Sequence, residues 1–375
     1  MGAHARGRDQ IRHGSGGPLM ARRVPDESDF RARPGKRGSR PRTKQRPEHA
    51  DAVTGFVTGV DRGRYTLLVG GGGQDQHVAA GEERTVVAMK ARDIGRTRVV
   101  CGDRVDLVGD VSGDDGTLAR IVRIQERSSV LRRTADDTDP YERVVVANAD
   151  QLVIVTALAD PEPRTRMIDR CVVAAYDAGM DVLLCLTKAD LADPAPLRAL
   201  YEPLGVSVVV TRRVPDGLAE DGWAIEPLEA VREALAGRTS VFVGHSGVGK
   251  STLVNALVPD AQRATGHVND VTGRGRHTST SAVALRLPGG GWVIDTPGVR
   301  SFGLAHVQVD HLLQAFEDLD AVAAGCPRGC THLDDAPDCA LDEWVEASPD
   351  DETRAARAAR LESFRRVLAS RTGAA

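Results

Sequence analysis

The spacing of apolar positions changes character along this chain, and each change predicts a different layer of structure. Between residues 53 and 124 apolar and polar residues alternate in short runs, at 53–60, 65–69, 85–90, 105–108 and 118–124, separated by Gly- and Asp-rich turns. A period of two predicts half-buried strands. Five such strands in about 75 residues suit a small barrel such as the oligonucleotide-binding fold. From residue 152 to 299 the runs lengthen and lose alternation: QLVIVTAL, MDVLLCLTKAD, VSVVVTR, SVFVGHS, SAVALRL and GWVIDTPG. Most are joined by stretches of helical length, which predicts an α/β sheet covered on both faces. The last two are joined only by Pro288-Gly289-Gly290-Gly291, too short for a crossover helix, and are expected as an antiparallel hairpin. Residues 351–370 read as a helix.

Composition narrows the class. In 375 residues the hydrophobic fraction is 41% and the charged fraction 27%, as in globular proteins, and no apolar run reaches the length that crosses a bilayer. The N-terminus lacks the apolar core of a secretory signal, so the expected location is the cytoplasm. There the six cysteines are expected reduced or metal-bound. The net charge of −4 conceals an asymmetry, because residues 1–50 carry 13 Lys or Arg against 5 Asp or Glu. That Gly- and Pro-rich stretch is expected to be a disordered tail. It reads either as a nucleic-acid arm or as a solvated extension, with Met20 an alternative start.

Three motifs carry chemistry. The strongest runs Gly244-His245-Ser246-Gly247-Val248-Gly249-Lys250-Ser251-Thr252, directly after a strand and opening a helix. In that context it is a phosphate loop: glycines admit backbone amides to the phosphates, Lys250 reaches the β- and γ-phosphates, and Ser251 ligates Mg²⁺. Earlier in the chain, Thr187-Lys188-Ala189-Asp190 ends a buried strand. The Asp190 carboxylate accepts from N1–H and the exocyclic amine of guanine, which adenine does not offer, and the Lys188 stem lies along the base. Thr211 is a further candidate at the base edge. Asp295-Thr296-Pro297-Gly298 supplies a carboxylate that faces Mg²⁺ through water and a Gly298 amide for the γ-phosphate. In ordinary GTP-binding domains the phosphate loop precedes the guanine reader; here the order is reversed, as in a circularly permuted chain.

Between the phosphate loop and Asp295, residues 266–280 read as a switch that γ-phosphate and Mg²⁺ would order. Thr278 is the preferred Mg²⁺ ligand, with Ser279 and Thr280 as alternatives. Position 299, where Ras-like enzymes carry a water-orienting glutamine, holds Val299. Intrinsic turnover is therefore expected to be slow, with help from His277 or from a partner.

Beyond the nucleotide motifs, Cys326, Cys330, His332 and Cys339 place four ligand-type side chains within 14 positions. Three thiolates and an imidazole suit closed, structural, tetrahedral zinc. Cys101, Cys171 and Cys185 are isolated and expected in the core. Phe56 and Tyr65 are the barrel's aromatic candidates for base stacking, and Lys90, Arg92, Arg96 and Arg98 crowd one loop that either contacts RNA phosphates or is merely solvated. Arg354, Arg357, Arg360, Arg365 and Arg366 give the last helix either an RNA-facing or a solvated surface.

Together, the barrel, the permuted motifs TKAD, GHSGVGKST, GRHTST and DTPGVRSFGL, and the Cys-Cys-His-Cys module resemble the ribosome small-subunit-dependent GTPase A family over residues 52–370. The resemblance implies a GTPase acting in late maturation of the bacterial 30S subunit, stimulated by that subunit and released after hydrolysis, with GTP, GDP and 16S rRNA as ligands. It assigns Thr187, Lys188 and Asp190 to guanine, residues 244–252 to phosphates and Mg²⁺, His277 to catalysis, and Cys326, Cys330, His332 and Cys339 to zinc. The chain departs from the family's pattern in Thr187 for the usual Asn, in a first zinc spacing of three where four is common, and in its longer basic extension. The expected organisation is multidomain α/β: a basic tail (1–50), an OB-like barrel (51–130), a permuted P-loop GTPase domain (140–305) and a helical zinc-binding domain (306–375), in a monomer. Two alternatives are an RNA-binding module whose nucleotide is not hydrolysed and a permuted GTPase serving the large subunit.

Overall fold

The computed structural model of the chain describes residues 49–70, 83–134, 142–217, 223–258, 282–296, 302, 304, 307, 309–314 and 316–372. Within them the expected barrel forms from β1 (Val53–Asp61), β2 (Arg64–Val69), β3 (Arg84–Lys90), β4 (Arg104–Gly109) and β5 (Ala119–Ile124). The order β1-β2-β3-β5-β4 closes through pairing of β4 with β1. Alternation decides which side chains enter it: Val57, Leu67, Val86, Leu107 and Ile121 are fully buried inside.

A short hairpin, β6 (Val130–Arg133) with β7 (Arg143–Ala147), leads from the barrel into the second layer. There β8 (Gln151–Ala157), β9 (Asp181–Thr187), β10 (Ser207–Val210), β13 (Thr239–Gly244), β14 (Val283–Arg286) and β15 (Trp292–Asp295) lie in the order β10-β9-β8-β13-β15-β14. All neighbours are parallel except β14 and β15, the antiparallel hairpin that the four-residue linker dictates. Between β10 and β13 the chain makes a second two-stranded hairpin, β11 (Arg212–Pro215) with β12 (Trp223–Glu226).

Helices cover both faces. On one face α1 (Thr165–Asp177) and α2 (Ala195–Tyr201) bury Ile168, Val172 and Tyr201. On the other, α3 (Leu228–Leu235) and α4 (Lys250–Leu257) bury Val231, Leu235, Leu253 and Leu257. After the sheet come α5 (Val309–Gln314), α6 (Glu317–Ala323), α7 (Ala340–Glu346) and α8 (Asp351–Thr372). Leu361, Phe364, Val367 and Leu368 of α8 recur at helical spacing and join the core beside α1. Tyr176, Phe316 and Phe364 stack edge to face, with centroids 5.1 and 5.4 Å apart, and fasten these helices to the sheet layer.

The barrel is also joined to the sheet. One edge of β1 pairs with β4 from Val53 to Phe56, the register shifts between Val57 and Gly59, and Gly59 then pairs with Val283 of β14. The bulge lets a single strand serve two layers. Phe56 packs on Trp292 at this joint, with centroids 4.8 Å apart, and Tyr65 is buried in the barrel, so neither aromatic is a platform for bases. Cys101, Cys171 and Cys185 are core residues as expected, and burial pushes their thiols up to about 12. Among the described residues no helix is long and apolar enough to cross a membrane.

Candidate functional site

Strand β13 delivers the phosphate loop at its carboxyl end, beside β15 on one side and β8 on the other. Ligand sites of open α/β sheets form there. Gly244 is obligatory because a Cβ would sit 2.7 Å from the Val155 carbonyl oxygen. Gly249 caps α4 with φ 92°, a left-handed conformation that other residues resist. Val248 anchors the loop in the core, while Ser246, Gly247, Ser251 and Thr252 are exposed and His245 Nδ1 lies 3.1 Å from the Ser246 carbonyl. Lys250 Nζ donates to Asp295 Oδ1, so the phosphate-loop cation and the carboxylate of the next strand share one corner. Thr296 fixes the end of β15 by donating to the Phe242 carbonyl at 2.9 Å.

The guanine-reading turn follows β9. Thr187, which stands for the usual Asn, is buried and donates its hydroxyl to the Val248 carbonyl at 2.6 Å, tying this turn to the phosphate loop. Lys188 has φ 60°, and its Nζ donates to the Asp160 carbonyl. Ala189 N–H donates to the Thr211 carbonyl at 3.1 Å. The exposed Asp190 accepts from the Arg213 amide at 3.4 Å. Thr211 is 2% exposed and donates to the Leu186 carbonyl at 3.3 Å, so its hydroxyl braces the turn.

These parts surround one cavity of about 490 Å³, lined by Thr187, Lys188, Thr211, the phosphate loop and Thr296. That is a usual size for a small-molecule site. Arg212, Arg213 and Ile225 of the β11–β12 hairpin also line it. No chemical motif in the sequence marks these three residues, although Pro215-Asp216-Gly217 between two β-rich runs is a turn signal. His277, Thr278, Gly298 and Val299, together with the alternatives Ser279 and Thr280, lie outside the described residues, as do residues 1–48.

A second cluster forms between α6 and α7. One donor atom each from Cys326, Cys330, His332 and Cys339 lies within 4.8 Å of the others, a set that can hold one metal ion. Cys326 Sγ is 3.6 Å from His332 Nδ1 and 4.0 Å from Cys339 Sγ, and Cys339 Sγ is 3.9 Å from the same nitrogen. The Ala340 amide points at Cys326 Sγ from 3.3 Å, and Arg365 holds the His332 carbonyl at 3.0 Å.

The arginines of α8 turn inward, correcting both readings of that helix. Arg360 grips Asp318, Arg365 grips Asp342, Arg366 pairs with buried Asp169, and Arg357 lies 4.6 Å over the Trp344 ring. Only Arg354 of the five is exposed. In the barrel loop, Lys90 donates to the Thr97 carbonyl at 2.8 Å while Arg92, Arg96 and Arg98 are exposed.

Known proteins share this arrangement. A family model described as RsgA GTPase matches residues 124–305. The small ribosomal subunit biogenesis GTPase RsgA of Chlorobaculum parvum is 34% identical over 328 residues, covering 85% of this chain and 98% of that protein. The protein of the same name from Pseudomonas aeruginosa is 39% identical over 260 residues, 69% of this chain and 73% of its own. Among solved structures, YjeQ from Thermotoga maritima matches with a TM-score of 0.54 and 25% identity, over 84% of this chain and 99% of that one. YloQ, a circularly permuted GTPase, matches with a TM-score of 0.56 over 87% of this chain and 97% of its own, and at 21% identity it speaks to the fold alone.

Proposed function

Because this chain belongs to the RsgA GTPase family, we propose that its GTP hydrolysis serves maturation of the small ribosomal subunit. The observation that carries the reading is one cavity lined by the phosphate loop, whose Lys250 is paired with Asp295, and by Thr187 and Lys188 of the turn that leads to Asp190. With nucleotide bound, Lys250 would exchange Asp295 for the β- and γ-phosphates, leaving the Asp295 carboxylate to help hold Mg²⁺. Ser251 and Thr278 would hold Mg²⁺, which would supply positive charge against the charge that develops on the phosphates. His277 orients the attacking water, a task for which Val299 has no polar group. Asp190 selects guanine, with Lys188 along the base and Gly298 at the γ-phosphate.

The domains divide the work: the barrel (51–130) and the helical domain (306–375) hold 16S rRNA of the 30S subunit, and the GTPase domain (140–305) times release, in a cytoplasmic monomer. The exposed Arg92, Arg96 and Arg98 support phosphate contacts by the barrel. The metal of the Cys-Cys-His-Cys cluster is structural zinc. Thiolates about 2.3 Å from a tetrahedral centre stand about 3.8 Å apart, close to the 4.0 Å between Cys326 and Cys339. Metal analysis is expected to return one zinc per chain, and less than half of that for Cys330→Ser.

The function is tested by phosphate release from GTP and ATP with and without 30S subunits. The expected result is stimulation of GTP turnover by about tenfold or more, with ATP ignored and most of the stimulation lost in His277→Ala. Binding of GTP without turnover in any mixture overturns the reading.

A further inference from the structure

The β11–β12 hairpin begins at Arg212, directly after Thr211 at the end of the run VSVVVTR, and it touches both halves of the nucleotide site. Arg212 and Arg213 of β11 and Ile225 of β12 line the cavity. Arg213 and Ile225 are direct cross-strand partners. Toward the guanine reader, the Arg213 amide reaches Asp190 Oδ1 at 3.4 Å. Toward the phosphate loop, Ile225 packs on the apolar layer containing Val248, Leu253 and Val254. The Arg213 guanidinium lies 5.0 Å over the Trp223 ring, which adds to the hairpin's stiffness.

A carboxylate reads N1–H and the exocyclic amine together only when both oxygens are held in the base plane. Asp190 sits on an exposed turn, and the Arg213 amide gives its Oδ1 a fixed partner. We propose that this hairpin is a guanine-side flap of the nucleotide site, in which the Arg213 amide positions Asp190 and Ile225 forms the apolar wall against the base and ribose of a guanosine nucleotide. The inference rests on the assignment of Asp190 to guanine.

The geometry offers a clean test. The Arg213 N–H points out of the hairpin toward Asp190, so proline at this position removes that donor while the ladder between β11 and β12 remains. In the full chain, Arg213→Ala and Arg213→Pro both lose the guanidinium, and only the second loses the amide hydrogen. GDP and inosine diphosphate, which lacks only the exocyclic amine, are compared by competition against a fluorescent GDP. The preference for GDP over inosine diphosphate is expected to fall about fivefold to tenfold from the alanine to the proline variant. Ile225→Ala is expected to weaken both nucleotides about fivefold at an unchanged ratio. Equal preferences in the two Arg213 variants overturn the positioning role, and unchanged affinity in Ile225→Ala overturns the proposed flap by itself, a result that does not depend on how the proline variant folds. Asp190→Asn, assayed with GDP and xanthosine diphosphate, separates the two levels of failure. If it does not shift preference toward xanthosine diphosphate, the guanine assignment itself is wrong; if it does while the Arg213 variants agree, only the flap fails.

Discussion

At residue scale, Thr187 shows how a departure from the common pattern keeps its physical task. An amide at this position spans from the guanine-reading turn to the phosphate loop, and the shorter hydroxyl does so by approaching the Val248 carbonyl to 2.6 Å. Thr187→Val keeps shape but strands that carbonyl in a buried site, a cost of about 1–3 kcal/mol. The expected outcome is a lower melting temperature, by about 2–4 °C for each kcal/mol, together with weaker GDP binding. Thr156→Val is the matched control, because the Thr156 hydroxyl is buried and has no hydrogen-bond partner among the described residues. Its loss is expected to be neutral or stabilising, and equal losses in the two variants would show that the Thr187 bond contributes nothing. The identity of the nucleotide-binding residues was legible in the sequence because phosphate and guanine chemistry admits few side chains at fixed spacing. The contribution of Arg212, Arg213 and Ile225 was not, since a backbone amide and a wall of mixed polarity leave no motif.

At the scale of elements, α8 shows where sequence pattern runs out. Five arginines in a helix read as a charged surface, but four of them, Arg357, Arg360, Arg365 and Arg366, answer to partners on other elements, and only Arg354 is exposed. Arg366 pairs with Asp169 of α1, which is 4% exposed and also accepts from Tyr201 at 2.9 Å. Burial raises the Asp169 carboxyl above the usual carboxylate range, with the Arg366 charge opposing that rise. A folded-state value above the unfolded one makes the group's contribution most favourable at low pH and lost as pH rises through the folded value. Arg366→Ala removes the opposing charge, raises the carboxyl further and leaves an unpaired buried anion at neutral pH, at a cost of about 3–5 kcal/mol. Denaturant unfolding is therefore expected to show a larger deficit for this variant at about pH 8 than at about pH 5. A deficit independent of pH would mean that Arg366 acts through packing on Tyr201 alone. The five barrel strands and the β14–β15 hairpin were legible because alternation and linker length each force one answer. The β6–β7 and β11–β12 hairpins were not, because strands of four or five residues with no such short linker signal carry too few positions for a period to stand out.

At the scale of the molecule, the barrel is joined to the GTPase sheet where β1 meets β14. Gly59 of β1 pairs with Val283 of β14, Phe56 stacks against Trp292 of β15, and Cys101 Sγ meets the Ala282 carbonyl at 3.0 Å. The chain enters β14 directly from residues 266–280, the stretch proposed as the switch, and leaves β15 at Asp295. Displacement of the barrel by bound rRNA would therefore act on β14 and on β15, the strand that lies beside β13 and ends at Asp295, without any contact between rRNA and nucleotide. An aromatic pair contributes about 0.5–1.5 kcal/mol beyond the area it buries, so Phe56→Ala is expected to loosen this joint while leaving each layer its own core. Unstimulated GTP turnover should stay within about twofold of the parent, whereas turnover with 30S subunits should fall about fivefold or more, the size of a typical coupling between distant sites. Trp292→Ala should do the same, and the double variant should lose little more than either single one, because both remove the same contact. Additive losses, or an equal fall in the unstimulated rate, would place the effect of these residues in the GTPase domain itself. The subunit's signal would then have to reach the switch by direct contact.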